Sequence, residues 1–312
     1  MEDQPQLPPP VLDWLTTVAL PRRRVVAARA LTGGYSNVNV LVTMAGGGEF
    51  VLRRYRRDNA CAVEAALAAR LDGVLPVAPV VAADPTGSSA GEPVLLSVFV
   101  AGRPVGEVLG GPAAPVAELG RSVGSTLARI GSVSFGAPGF FADERLEPGP
   151  AGAEPTSGLD VFVGRCLDEG NAAGHLSDAE QHGLRRYTER AAPELAALRG
   201  SRRLVHADYN PKNLLAARRD GRWRVTAVLD WEFAFSSSPL FDVGNMLRDP
   251  RPAGFAEAFV DGFRHGGGEL PENWRRLSRA LDLYSLADFL TRPVEHRYFR
   301  RAIERIRGLL AG

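Results

Sequence analysis

Lysine is nearly missing from this sequence: Lys212 stands alone among 37 basic residues, and the rest are arginines. Chemistry that ordinarily uses an ammonium group therefore falls to Lys212 or to a planar guanidinium, which meets phosphate as a fork rather than a point charge. Cysteine is scarce as well. Cys61 and Cys166 stand far apart with no Cys-x-x-Cys pair, which excludes a disulfide framework and fits a reduced, cytoplasmic protein. Net charge is only +1, so no global field draws the chain to nucleic acid or to an anionic bilayer. No apolar run approaches the roughly 18 residues of a membrane helix, and residues 1–12 lack the basic-then-apolar order of a signal peptide. The histidines at 175, 182, 265 and 296 show no metal-ligand spacing. What is present is a globular mix of 45% hydrophobic and 23% charged residues over 312 positions, enough for two cores.

The periodicity predicts a leading helix over residues 11–19, ended by Pro21. Three strands follow within 25–55, joined by glycine turns, then an Ala/Leu-rich helix over 61–71 and two strands, the second over 93–100. Ala101-Gly102-Arg103-Pro104 cannot continue that strand, so a boundary is expected there. Beyond it, residues 114–130 read as helix, and 134–157, rich in Gly, Pro and acids, as a functional loop or disordered stretch. Helices are expected over 159–167 and 177–198, the second opening on the capping box Ser177-Asp178-Ala179-Glu180. Strands are expected at 204–208 and 223–231, and helices carry the rest. The arginines at 297, 300, 301, 305 and 307 read as the solvated face of the last helix.

The chemistry concentrates in two places. Asp208 ends an apolar strand and Asn213 follows five residues later on one tight loop; Asp230 and Glu232 flank Trp231 at the end of a second apolar run. On a strand, alternation would put Asp230 and Glu232 on one face. Two carboxylates and a carboxamide suit a hard cation such as Mg²⁺, which takes oxygen ligands. Taken singly, the glycine turn at 33–37 is a hairpin, Arg53 with Glu64 a surface ion pair, and Asp208 with Asn213 an Asx turn. Their joint order is what carries weight.

His206-x-Asp208-x-x-x-x-Asn213, followed by a strand ending in Asp230-Trp231-Glu232, resembles the aminoglycoside phosphotransferase and choline kinase superfamily over nearly the whole chain. The resemblance implies an α+β, bilobal protein-kinase-like fold. A small N-terminal lobe (1–100), with an antiparallel sheet plus helix, would bind nucleotide, and a larger, mostly helical C-terminal lobe (101–312) would bind the acceptor. Gly33, Gly34, Tyr35, Ser36 and Asn37 look like the loop covering the nucleotide. Arg53 falls at the phosphate-binding position, Glu64 at its ion-pair partner, and Ser97, Phe99 and Ala101 along the hinge that meets the adenine. Asp208 would be the catalytic residue for the attacking hydroxyl, Asn213 and Asp230 would hold Mg²⁺, and His206 and Asp242 would be structural. The co-substrate would be ATP or GTP, and the reaction an O-phosphorylation. One departure stands out: protein kinases carry lysine two residues after the catalytic aspartate, and this chain has Asn210.

For the acceptor, residues 101–200 hold 13 acids against 9 bases, which favours a cationic antibiotic, a cyclic peptide or an aminoglycoside. The loop wording resembles the viomycin and capreomycin phosphotransferases. Asp143, Glu144, Glu232, Asp282 and Asp288 are the carboxylates expected to meet such an acceptor. Phe140, Phe141 and Phe162 keep a macrolide open, and a metabolic kinase of choline, homoserine or a sugar, or a non-catalytic nucleotide-binding module, are the alternatives. Partners are expected to be small molecules, with no nucleic acid and no membrane, and the chain a monomer or weak homodimer.

Overall fold

The computed structural model describes residues 7–31, 37–149 and 155–311. Its first elements are α1 (Pro9–Trp14), β1 (Val25–Ala30), β2 (Asn37–Met44), β3 (Glu49–Tyr55), α2 (Cys61–Leu71), β4 (Val80–Asp84), β5 (Val94–Val98), β6 (Arg103–Pro104) and α3 (Val105–Leu109). Next come α4 (Val116–Ser132), β7 (Gly139–Phe140), α5 (Leu159–Glu169), α6 (Asp178–Ala191), β8 (Arg203–Val205), β9 (Leu214–Arg219) and β10 (Arg222–Val228). The last are β11 (Phe235–Ser237), α7 (Leu240–Leu247), α8 (Phe255–His265), α9 (Trp274–Phe289) and α10 (Arg297–Ala311). No described helix is long and apolar enough to cross a membrane.

By packing, the chain divides into two compact units, each assembled from several stretches. The first comprises residues 1–118, 141–147 and 211–233, and the second 119–140, 148–210 and 234–312. This differs from a single cut near residue 101, because 101–118 and 211–233 group with the N-terminal residues.

In the first unit the strands form an antiparallel sheet in the order β1-β2-β3-β5-β4. Side chains alternate across each strand. Val40, Val42, Met44, Phe50, Leu52, Val94 and Leu96 therefore bury one face against Val11, Trp14 and Leu15, each large side chain contributing about 1.5–3 kcal/mol. Tyr55 and Leu95 point to the opposite face, where they meet Cys61 of α2. The leading helix departs from a simple α-helix. It opens on prolines, where a missing N–H costs nothing, and widens to a π-helix over Leu15–Ala19. There the Thr16 and Thr17 hydroxyls donate to the Leu12 and Asp13 carbonyls at 3.0 and 2.7 Å, competing with the backbone ladder.

The expected strand over 223–231 is half of a hairpin and ends earlier. β9 and β10 pair through a turn in which Asp220 (φ 51°) and Gly221 (φ 75°) are both left-handed, and β6 adds a third strand. Asp-Gly is a strong signal for such a turn.

In the second unit β11 lies between β7 and β8, so helices alone do not carry the chain beyond Trp231. The predicted capping box forms: Ser177 N–H donates to Glu180 at 2.7 Å and Glu180 N–H to Ser177 Oγ at 3.3 Å. α7 and α9 approach until their backbones nearly touch at Gly244, where a Cβ would stand 2.3 Å from the Ser278 carbonyl. Only glycine permits that approach. On the last helix, Arg305 and Arg307 reach back to Asp249 and Glu180.

Candidate active site

Alternation along β3 sends Arg53 to the same face as Tyr55, opposite Phe50 and Leu52. There it lies buried among carboxylates. Its Nε is 3.4 Å from Glu64 of α2, one terminal nitrogen is 3.0 Å from Glu232, and the other pairs with Asp230. Asn37, at the start of β2, donates to Glu232 at 2.5 Å. Burial would pull the Arg53 pKa down, but Glu64, Asp230, Tyr55 and Glu232 outweigh it and hold the guanidinium firmly charged. The same burial pushes Glu64 up to about 7 against the pull of Arg53, and raises Glu232. Tyr55, beneath the guanidinium and beside Glu64, is raised by burial and by that carboxylate. Asn37 Oδ1, Arg53 Nε, Tyr55 OH and Glu64 Oε1 gather in this cluster as buried polar atoms that make no well-aligned hydrogen bond, the Arg53–Glu64 contact being an ion pair.

Asp230 and Glu232 do reach one place, but not by strand alternation. β10 stops at Val228, and Asp230 is left-handed (φ 66°), a conformation aspartate tolerates better than most residues. Trp231 turns inward, its indole donating to the Val228 carbonyl at 3.1 Å. The hairpin also explains the pairing of the expected metal ligands. Leu214 opposes Val228, and Leu229 N–H donates to the Asn213 carbonyl at 2.9 Å, so Asn213 before β9 and Asp230 after β10 stand at neighbouring positions. Their carboxamide and carboxylate oxygens are the hard donors Mg²⁺ takes. Glu232, expected at the acceptor, belongs instead to the Arg53 cluster.

In the second unit β8 runs into the loop carrying Asp208. Ala207 is left-handed (φ 68°), a costly conformation for a residue with a Cβ. It is fixed by Asp242 of α7, whose fully buried carboxylate accepts from the His206 and Ala207 amides at 2.7 and 2.9 Å. Burial pushes Asp242 up to about 7 in spite of those donors, and Asp208 adds to the rise. Asp208 N–H donates to His206 Nδ1 at 3.2 Å, which gives the buried histidine its structural place. Asn210 donates to the Asp208 carboxylate at 2.7 Å, a neutral donor where kinases place lysine. Lys212 is exposed.

The other expected residues scatter. Gly34, Tyr35 and Ser36 lie outside the described residues. Ser97 is buried within β5, Phe99 N–H donates to the Glu49 carbonyl at 3.0 Å, and Ala101 is exposed. Asp143 is held by Arg145 in an exposed turn, which lowers its pKa, with Glu144 exposed beside it. Asp288 pairs with Arg292 one helical turn on. Asp282 is the clearest correction: it is buried, and both oxygens accept from Arg248 at 2.7–3.1 Å, so it does not line a surface pocket. Sequence reading passed over Tyr55, Asn245 and Arg248. Tyr55 had a signal, two residues from Arg53 on one strand; Arg248 had none.

The sequence matches the phosphotransferase enzyme family over residues 27–279. No curated protein sequence matches it. Among solved structures, a macrolide 2′-phosphotransferase from Brachybacterium faecium is 20% identical, with 96% of this chain and 98% of that one aligned at a TM-score of 0.64. APH(2")-IIia, solved with GDP and kanamycin, is 17% identical over 96% and 97% at a TM-score of 0.72. A putative aminoglycoside phosphotransferase from Ralstonia eutropha is 17% identical over 96% and 95% at 0.68. The fold is thus the α+β, kinase-like one that these phosphotransferases share. With most of its length matched, the chain belongs to the phosphotransferase enzyme family.

Proposed function

We propose that this phosphotransferase moves the γ-phosphoryl group of ATP or GTP to a hydroxyl of a small-molecule antibiotic, inactivating it. The observation that carries this reading is the convergence on Arg53 of Glu64 from α2 and Asp230 from the hairpin end, 177 residues away in sequence. A buried guanidinium held by a helix carboxylate beside a hard-oxygen pair is equipment for a nucleoside triphosphate and its metal. Asn213 and Asp230 would hold Mg²⁺, which when bound neutralises phosphate charge. Arg53 would bind phosphate oxygens, Gly34, Tyr35, Ser36 and Asn37 would cover the nucleotide, and residues 97–101 would meet its base. Asp208 orients the acceptor hydroxyl and takes its proton as the new O–P bond forms and the β–γ bridge bond breaks. Such reactions depend chiefly on positioning and charge.

The solved relatives named for kanamycin and for macrolides make an antibiotic the leading acceptor. The case for a cationic one is weaker than composition implied, since Asp143, Glu232, Asp282 and Asp288 already hold arginines. A second reading, an acceptor with an apolar face such as a macrolide, has its own observation. Phe140, 57% exposed, packs at a tilt against Phe235 with ring centroids 4.9 Å apart, and the row continues through Phe241 and Tyr284 to Phe162 at 5.1–5.9 Å.

The test is nucleoside-diphosphate release from Mg-ATP and Mg-GTP against macrolides, aminoglycosides, cyclic-peptide antibiotics, choline, homoserine and sugars. The reading expects release that depends on one antibiotic class, with the product heavier by one phosphoryl group. Release with choline, homoserine or a sugar alone would replace it with a metabolic kinase, and tight nucleotide binding without release would favour a binding module.

A further inference from the structure

Asp242 accounts for the residues before Asp208 but not for those after it. On the far side, the loop's carbonyl at Tyr209 is met by Asn245, one turn further along α7. With its amide turned to suit both neighbours, Asn245 donates to Tyr209 O at 3.0 Å and accepts from Arg248 at 3.1 Å. Arg248 in turn grips Asp282 of α9 through Nε and a terminal nitrogen at 2.7–3.1 Å. Asn245 and Asp282 are buried, the Arg248 side chain is only 14% exposed, and the Tyr209 hydroxyl is tied to the Val123 carbonyl at 2.8 Å. The Gly244 contact between α7 and α9 sets the spacing at which this chain of bonds closes. Arg248 is therefore a largely buried cation whose charge also acts on Asp208, in a chain with Asn210 rather than lysine two residues after that aspartate.

We propose that Asn245 and Arg248 are positioning residues for Asp208, holding the loop from its C-terminal side through the Tyr209 carbonyl while Asp282 fixes Arg248. The inference rests on Asp208 being the residue that meets the acceptor hydroxyl. Asn245 and Arg248 touch no substrate. Their effect is to prevent the carboxylate from drifting, where a displacement of about 1 Å can cost on the order of 100-fold in rate. In a buried network each bond also depends on the others being made.

The test uses the full chain as wild type, Asn245→Ala, Arg248→Met, Arg248→Lys and the Asn245→Ala/Arg248→Met double variant. Two readouts are taken: amide hydrogen exchange of the peptide spanning residues 204–214, and kcat with the dissociation constant for Mg-ATP or Mg-GTP. The proposal expects exchange in that peptide to rise at least tenfold in Asn245→Ala and Arg248→Met, with the strands of the first unit unchanged. It expects kcat to fall about 10- to 100-fold while the nucleotide dissociation constant moves less than twofold. The double variant should be little worse than the worse single one, because both sit in one chain of bonds, and Arg248→Lys, lacking the fork, should recover only part. Unchanged exchange in folded Asn245→Ala overturns the proposal, as does a loosened loop with undiminished turnover. Asp208→Ala separates this from the reading beneath it: if that variant keeps full turnover, the assignment of Asp208 fails, whatever Asn245 does. If the wild type turns over no acceptor offered, the exchange result alone decides whether the loop is held this way.

Discussion

Arg53 is the residue on which most depends, and its replacement reads the cluster directly. Removing one partner of a buried ion pair strands the others' charges. Arg53→Met leaves Glu64, Asp230 and Glu232 facing one another, so stability should fall by about 3–5 kcal/mol in thermal or denaturant melts. Adding Glu64→Gln should recover part of the loss; no recovery would mean that Glu64 is not charged against Arg53. Asp242 gives a second test, in pH. Its carboxyl is held up to about 7 in the fold, against an ordinary value of 3.8, by burial. The proton is thus favoured by the folded state: the gain is complete below about pH 4 and is lost as pH rises towards 7. Between pH 5 and 7 the wild type should lose roughly 1 kcal/mol per unit relative to Asp242→Asn, which has no such titration. Parallel pH profiles for the two would contradict this account of Asp242.

At the scale of elements, the strands and helices whose signals are local are legible in the sequence. Phe50 and Leu52 alternate with Arg53 and Tyr55, Cys61–Leu71 is an Ala/Leu helix, and Ser177 with Glu180 announces the start of α6. The β9–β10 hairpin has a local signal too, in Asp220-Gly221. Asn213 and Asp230 could be named from the sequence, but only the hairpin register explains why they are neighbours. The bond chain through Asn245 was hidden for another reason: Arg248 and Asp282 are 34 residues apart, and nothing local distinguishes a buried pair from two surface charges. The α7–α9 contact carries its own prediction. Gly244→Ala puts a methyl group 2.3 Å from the Ser278 carbonyl, so the helices must part, at about 1–3 kcal/mol in a thermal melt. A variant as stable as wild type would mean that the approach is not needed.

For the molecule as a whole, the order of motifs was enough to give the fold and the family. The match over residues 27–279 bears out the family that this order of motifs suggested. The acceptor was less legible, because a carboxylate's role depends on what it faces. Asp282 and Glu232 read as pocket charges until the structure put arginines against them, and the aromatic row from Phe140 to Phe162 gathers residues more than 100 positions apart. The central claim is that phosphoryl transfer to a small-molecule hydroxyl runs through Asp208. The most direct measurement compares wild type with Asp208→Ala in acceptor-dependent release of nucleoside diphosphate, with binding of the same Mg-nucleotide followed alongside. The account predicts a fall in turnover of at least 100-fold with nucleotide affinity retained; an Asp208→Ala enzyme that phosphorylates the acceptor at the wild-type rate would contradict it.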